Sequence, residues 1–104
     1  MSLKVKMEDQ TYKFEGPFED SDLVKNQSGV YLVTTKKQKG SHRIIDVGES
    51  TTLKDRLASH DRKDQWVANE KHGLYFSVYY CNETTRMSFG ETLREHFKPS
   101  CGDR

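Results

Sequence analysis

The residues that most suggest chemistry in this chain are Arg56 and His60, which are four positions apart. On a helix they would lie about 40° apart around the axis, so both side chains would point the same way. A guanidinium can hold two phosphate oxygens at once, and a histidine one turn away can bind phosphate or relay a proton. The plainer interpretation is a surface arginine and a surface histidine paired with Asp55 or Asp61.

The helix that would carry this pair is predicted over residues 53–60. Leu53 and Leu57 would form its buried stripe, and the hydroxyl groups of residues 50–52 could cap its first turn. The arginine and the histidine would then lie at the rim of that stripe, half shielded from water.

Two short apolar segments precede this helix and are joined by a basic loop. We predict strands over residues 30–34 and 42–47, paired as an antiparallel hairpin with a long loop. A smaller N-terminal hairpin is predicted over residues 4–15, and Gly16-Pro17 should break it.

Three further elements are predicted after the first helix. They are a helix around a buried Trp66 over residues 61–71, a strand over 74–81, and a final helix over 85–97 that stops at Pro99. The resulting order, β-β-β-β-α-α-β-α, predicts an α+β fold in which helices flank a small, mostly antiparallel sheet. We expect one domain over residues 1–104.

The stretch from residue 29 to residue 60 resembles the GIY-YIG nuclease domain. It reads GVYLV, a basic loop, IIDVGES and then LxxRLxxH, so residue types and spacing both match. Residues 74–99 match more loosely. The resemblance implies a GIY-YIG-like core over residues 29–99, with residues 1–28, which include the predicted hairpin, as an N-terminal extension.

The family resemblance also implies an activity, which is hydrolysis of a DNA phosphodiester with one divalent metal ion, Mg²⁺ or Mn²⁺. By position, Tyr31 would activate or hold the attacking water. Arg56 would clamp the scissile phosphate and His60 would assist it. Gly29 and Gly48 would be the motif glycines, which allow close backbone packing.

Two positions of the hairpin and helix start depart from the family pattern. Asp46 stands where the second motif has a tyrosine, and Glu49 stands where some relatives carry a lysine. Both changes place a negative group where a phosphate should bind. Coulomb repulsion would hinder the substrate there unless a metal ion intervened.

The metal-binding carboxylate is a third departure. The family places a glutamate early in the last helix, and Glu91 is the candidate. Alignment on the later apolar residues and proline instead puts Gly90 at that position, and helix geometry turns Glu91 about 160° from the centre of the apolar face. A shift of one residue would restore Glu91; otherwise Asp46 or Glu49 must supply the oxygen ligand, or the site holds no metal.

The net charge of +1 is not the basic balance of a general nucleic-acid binder. The charge is uneven, however, because residues 34–63 contain eight lysines and arginines against four acidic residues. A basic face could therefore form on the hairpin loop and helix. The candidate nucleic-acid-binding residues are Lys36, Lys37, Lys39, Arg43, Lys54, Arg62 and Lys63.

Two functions of different classes fit these residues. One is a metal-dependent endonuclease with Tyr31, Arg56 and His60 as catalytic residues. The other is a catalytically degenerate domain that binds nucleic acid or protein. A carboxylate that converges with the tyrosine and the arginine on one concave site would favour the enzyme.

Partners and location follow from size and composition. DNA is the expected partner, and a protein partner or homodimer would add recognition surface that 104 residues lack. The chain shows no long apolar run and no signal peptide, which predicts a cytoplasmic protein without membrane contact.

Overall fold

The fold is a five-stranded sheet with helices on both of its faces. The structure, a computed structural model, describes residues 2–7, 9–37, 42–70 and 73–101. Its strands and helices are β1 (Ser2–Met7), β2 (Gln10–Phe18), β3 (Gly29–Lys36), β4 (His42–Ser50), α1 (Leu53–Ala58), α2 (Lys63–Asn69), β5 (Leu74–Tyr80) and α3 (Glu83–Phe97), with a single 3₁₀ turn at Ser21–Leu23.

The strands lie in the order β1-β2-β5-β3-β4, and the four pairings between neighbours are antiparallel. β5 is the central strand, and β3, which lies between β5 and β4, is buried from Gly29 to Thr35. β4 forms one edge of the sheet. The order of elements and the antiparallel sheet confirm the prediction of an α+β fold.

Alternation along β3 divides the apolar core between the two faces of the sheet. On one face, Tyr31 packs in a cluster with Leu53 and Leu57 of α1 and Trp66 of α2. On the other face, Leu32 packs in a cluster with α3. The leucine stripe and the buried tryptophan are confirmed, since all three side chains are fully buried.

Several predicted boundaries are wrong, and two of the differences change the local path of the chain. α1 ends at Ala58 rather than at residue 60, because Ser59 leaves helical geometry with φ −129° and ψ 39°. β2 also runs through Gly16 and Pro17, which were expected to break it, and the pairing of β2 with β5 shifts register there. The early end of α1 sends His60 in a direction that a continued helix would not allow.

No helix within the described part of the chain is long and apolar enough to cross a membrane.

Candidate functional site

A cavity of about 340 Å³ opens beside the edge strand β4, where residues from both faces of the sheet meet. Its wall combines three guanidinium groups, two carboxylates, one phenol and two glycines. The lining residues are Tyr31, Val47, Gly48, Glu49, Arg56, Arg62, Gly90, Glu91 and Arg94. The structure thus brings three of the predicted site residues, Tyr31, Arg56 and Glu91, together at one cavity.

Tyr31 reaches the cavity because its partner across the β3–β4 ladder is a glycine. Tyr31 pairs with Gly48 in register, and the aromatic ring lies over the glycine. A Cβ at Gly48 would lie 2.7 Å from Tyr31 Cε2 and closer still to the hydroxyl oxygen. Gly29 has the same need for space, since a Cβ there would collide with the carbonyl oxygen of Tyr79. Gly29 and Gly48 therefore both allow a close approach of neighbouring atoms.

His60 holds Tyr31 from behind the cavity. The His60 Nε2 atom lies 2.5 Å from the Tyr31 hydroxyl, and the ring centroids of His60 and Trp66 are 4.5 Å apart. The other ring nitrogen, Nδ1, accepts a hydrogen bond from the amide of Arg62 at 3.0 Å. An N–H donor facing Nδ1 requires a lone pair there, so we assign the ring proton to Nε2, which donates to Tyr31.

The Nδ1 atom also lies 3.2 Å from a carboxylate oxygen of Asp61, a contact that would favour a protonated ring. The neutral ring is the better assignment, because burial and the nearby charges of Arg56 and Arg62 lower the pKa of His60 to about 4. The side chain of Asp61 is 73% exposed and is already paired with Arg56.

The sequence prediction placed His60 at a half-shielded rim, ready to touch phosphate. That placement is wrong, because the side chain is fully buried and does not line the cavity. His60 instead fixes the position of Tyr31. The physical reason is the end of α1 at Ala58, after which the chain turns inward over Trp66.

Tyr31 stays protonated at neutral pH. Burial, and next the negative charge of Asp46, raise its pKa to about 12. Because His60 donates to the phenol oxygen, the Tyr31 proton is free to be donated to a group in the cavity. The side chain can therefore position a water molecule or a phosphate oxygen by hydrogen bonding.

Arg56 extends from α1 to the cavity mouth, and its side chain is 39% exposed. Its Nη2 atom lies 3.0 Å from Asp61 Oδ1. This is the surface pair of the plainer interpretation, yet the same guanidinium lines the cavity. An exposed ion pair of this kind contributes little to stability, so the arginine can exchange its partner for a ligand.

Asp46 is fully buried in the wall behind the cavity. Its Oδ1 accepts from the amide of Val47 at 2.8 Å, from Arg62 at 3.2 Å and from Arg94 at 2.7 Å. Its Oδ2 accepts from Arg62 at 2.9 Å and from Trp66 Nε1 at 2.7 Å. Five donors occupy both oxygens, so this carboxylate has no place for a metal ion and faces no incoming phosphate.

Arg94 is a site residue that sequence reasoning missed. It bonds to Asp46, to the carbonyl oxygen of Val47 and to that of Cys101, and it lines the cavity. A signal was present, because Arg86, Gly90 and Arg94 recur every four residues along α3. Arginine is rarely buried without a partner, so two arginines beside the apolar stripe indicate that this side of α3 contacts polar groups of the protein.

The two glutamates of the cavity differ in their surroundings. Glu49 accepts a hydrogen bond from Arg86 Nε at 2.6 Å, and its side chain is 34% exposed. Glu91 is exposed and has no hydrogen bond or ion pair with another described residue. It points away from the apolar face as predicted, but the cavity lies at the edge of that face, so Glu91 reaches the cavity without a shift in the helix.

The predicted basic face is mostly remote from the cavity. Lys36, Lys37 and Arg43 lie at the loop end of β3 and β4, about 16 Å along the strand from Tyr31. Lys39 falls outside the described residues. Of the remaining predicted residues, Arg62 lines the cavity, and Lys54 is half-buried on α1 but does not line the cavity. Lys63 is exposed, and its Nζ atom lies 2.7 Å from the carbonyl oxygen of Ala58.

Comparison with known proteins found no match to this chain. No protein-family model matches the chain, no curated protein matches its sequence, and no solved structure matches its fold.

Proposed function

We propose that this protein is a GIY-YIG-like endonuclease domain that hydrolyses DNA phosphodiester bonds with the help of one divalent metal ion. The observation that carries the proposal is the convergence of Tyr31, Arg56 and Glu91 on one cavity. These side chains come from β3, α1 and α3, and they combine a hydrogen-bond donor, a phosphate ligand and an unpaired carboxylate.

The residues present fit a magnesium or manganese ion with few protein ligands. No group of three or more His, Cys, Asp or Glu side chains comes together within residues 2–7, 9–37, 42–70 and 73–101. Mg²⁺ is commonly held by one or two carboxylates together with water and substrate phosphates. Glu91 would be that carboxylate, because Asp46 is fully hydrogen-bonded and Glu49 is paired with Arg86.

Each side chain then has a defined task. Arg56 holds two oxygens of the scissile phosphate through its guanidinium fork. Tyr31 donates its proton in a hydrogen bond that orients the water or a phosphate oxygen, and His60 fixes the phenol from behind. The metal ion, when bound, neutralises negative charge that develops on the phosphate.

The test is nicking of supercoiled DNA in Mg²⁺ or Mn²⁺ by wild type, Arg56→Ala and Glu91→Gln. We expect each variant to lose cleavage by a factor of about 10²–10³, the scale of removing one electrostatic contact to a transition state. Both side chains are at the surface, so melting temperatures should stay near that of wild type. Lys13 is an exposed residue of β2, and the control variant Lys13→Ala should cleave DNA as the wild type does. Cleavage that survives Arg56→Ala would refute the role of Arg56.

The alternative, a degenerate domain that only binds nucleic acid, is favoured by the protonated state of Tyr31 and by the lack of a second free carboxylate among the described residues that line the cavity. It predicts DNA binding without cleavage by the wild type in the same assay. Affinity should then fall with salt, because phosphate contacts release counterions. Binding that is absent at low salt, or indifferent to salt, would exclude this alternative.

A further inference from the structure

Two arginines from opposite faces of the sheet meet at one buried carboxylate. Arg62 precedes α2 on one face and Arg94 lies on α3 on the other, and both bond to Asp46 around the open edge of β4. The carboxylate also accepts from Trp66 and a backbone amide, so it is saturated with donors. The arrangement holds both guanidinium groups in fixed positions before any ligand arrives.

Neither arginine spends all of its donors on these contacts. Arg94 uses Nη1 and Nη2 to bond to Cys101, Asp46 and Val47, and its Nε has no hydrogen bond to another described residue. Arg62 directs Nε and Nη2 at Asp46, and its Nη1 has no hydrogen bond to another described residue. The side chains of Arg62 and Arg94 are 19% and 14% exposed, and both residues line the cavity. Two guanidinium groups share one carboxylate, so these three side chains together carry a net charge of +1 beside the cavity.

The charges around the cavity cancel when no ligand is bound. Three arginines and two glutamates line it, and Asp46 lies directly behind the wall, which gives three positive against three negative charges. Asp61, which pairs with Arg56, and Arg86, which pairs with Glu49, balance each other. A divalent ion on Glu91 would raise the total to +2, the charge that two phosphodiester groups of −1 each would neutralise.

We propose that Arg62 and Arg94, held by Asp46, form a second phosphate subsite beside Arg56, so that the cavity takes two neighbouring phosphates of one DNA strand. The inference rests on the proposed function for its substrate. Asp46 is then a positioning residue, and its buried charge sets the two arginines in place. Guanidinium groups fixed in advance lose less conformational freedom when they bind, which favours affinity.

The number of phosphate contacts can be counted from the salt dependence of DNA binding. We would measure the affinity for a short fluorescent duplex with 5′-hydroxyl ends by anisotropy, in EDTA, between about 50 and 200 mM salt. Arg62→Gln and Arg94→Gln should each make the slope of log K against log salt shallower, and the double variant should lose about 0.9 in all, because the two arginines contact one phosphate. Lys13→Gln is the control of equal charge change and should keep the wild-type slope. Wild-type slopes in both arginine variants would overturn the subsite.

The role of Asp46 is tested by whether Asp46→Asn strengthens or weakens DNA binding. If Asp46 only repelled phosphate, Asp46→Asn would bind DNA more tightly. A positioning role predicts binding weaker by about tenfold, the loss of one charge-assisted contact. Tighter binding by a folded Asp46→Asn protein would overturn this part of the proposal. Arg62 lies in a half-exposed turn, so Arg62→Gln should fold and can still test the subsite if Asp46→Asn does not fold.

Two further arms separate this inference from related outcomes. The same duplex with 5′-phosphate ends should bind no better than the 5′-hydroxyl form, and a strict need for the terminal phosphate would overturn the two-phosphate arrangement. Wild-type cleavage combined with unchanged slopes in Arg62→Gln and Arg94→Gln would leave the nuclease function standing and refute only the subsite. A wild type that neither cuts nor binds would refute the function itself.

Discussion

Replacing Gly48 by alanine should destabilise the protein, because the only space for a methyl group is already filled by the ring of Tyr31. The added Cβ would lie 2.7 Å from Tyr31 Cε2 and closer to Cζ and the hydroxyl oxygen. The ring is 2% exposed and bonded to His60, so it cannot swing into solvent without losing its packing and that hydrogen bond.

The size of the effect follows from three contributions. Overpacking a buried site costs about 1–3 kcal/mol, and loss of the Tyr31–His60 hydrogen bond costs about 1 kcal/mol. Alanine in a strand regains about 0.5–1 kcal/mol of backbone entropy relative to Gly48. The net loss of about 1–3.5 kcal/mol is a large share of the roughly 5–15 kcal/mol expected for a domain of this size, and the melting temperature should fall by about 5–25 °C.

Urea and thermal unfolding would measure this loss, with Gly90→Ala as the matched control. Gly90 lines the same cavity, but a Cβ there would meet Glu49 Cγ at 3.6 Å, an ordinary contact, and alanine favours a helix by about 1 kcal/mol. Gly90→Ala should therefore be neutral or stabilising. In a Tyr31→Leu background, which lacks the colliding atoms, Gly48→Ala should cost close to nothing. Equal stability of wild type and Gly48→Ala would refute the reasoning.

Two further predictions concern His60 and the first turn of α3. The pKa of His60 is about 4 in the folded protein and ordinarily 6.5, so protonation favours the unfolded state. The free energy of unfolding should therefore stay constant above pH 6.5 and fall by on the order of 3 kcal/mol as the pH drops to 4. Urea titrations from pH 7 to pH 4 should show a weaker fall in His60→Gln, whereas the exposed His96→Gln control should follow wild type. Asn82 Oδ1 accepts a hydrogen bond from the Thr85 amide at 3.0 Å and caps α3, so Asn82→Ala should cost about 1 kcal/mol in the same titration, and Asn82→Asp should not; equal losses in both would contradict a capping role.

Local patterns were enough to predict the elements of this fold. A short apolar run marked β3, and the spacing of Leu53 and Leu57 marked the buried stripe of α1, because these signals depend only on neighbouring residues. The cap at Asn82 explains why α3 begins at Glu83, two residues before the predicted start, since its side chain satisfies an amide of the first turn.

The site was only half predictable, because its key contacts join distant parts of the chain. Tyr31 and Arg56 belong to one short motif and reach the cavity as expected. Asp46 was interpreted as a repulsive charge or a metal ligand, since nothing near it in sequence shows that Arg62 and Arg94 would enclose it. Contacts over 16 and 48 residues depend on how helices on opposite faces meet at the edge of β4.

The shared carboxylate also limits how this domain can diversify. Asp46 joins α2, β4 and α3 through Arg62, Trp66 and Arg94, so the wall of the cavity is also part of what holds the helices to the sheet. A change in that wall would alter packing on both faces at once, and natural selection would remove it for lost stability whatever it did to ligand preference. Adaptation to a new ligand is therefore open chiefly to side chains at the mouth, such as Glu91, where mutation leaves the folded state intact.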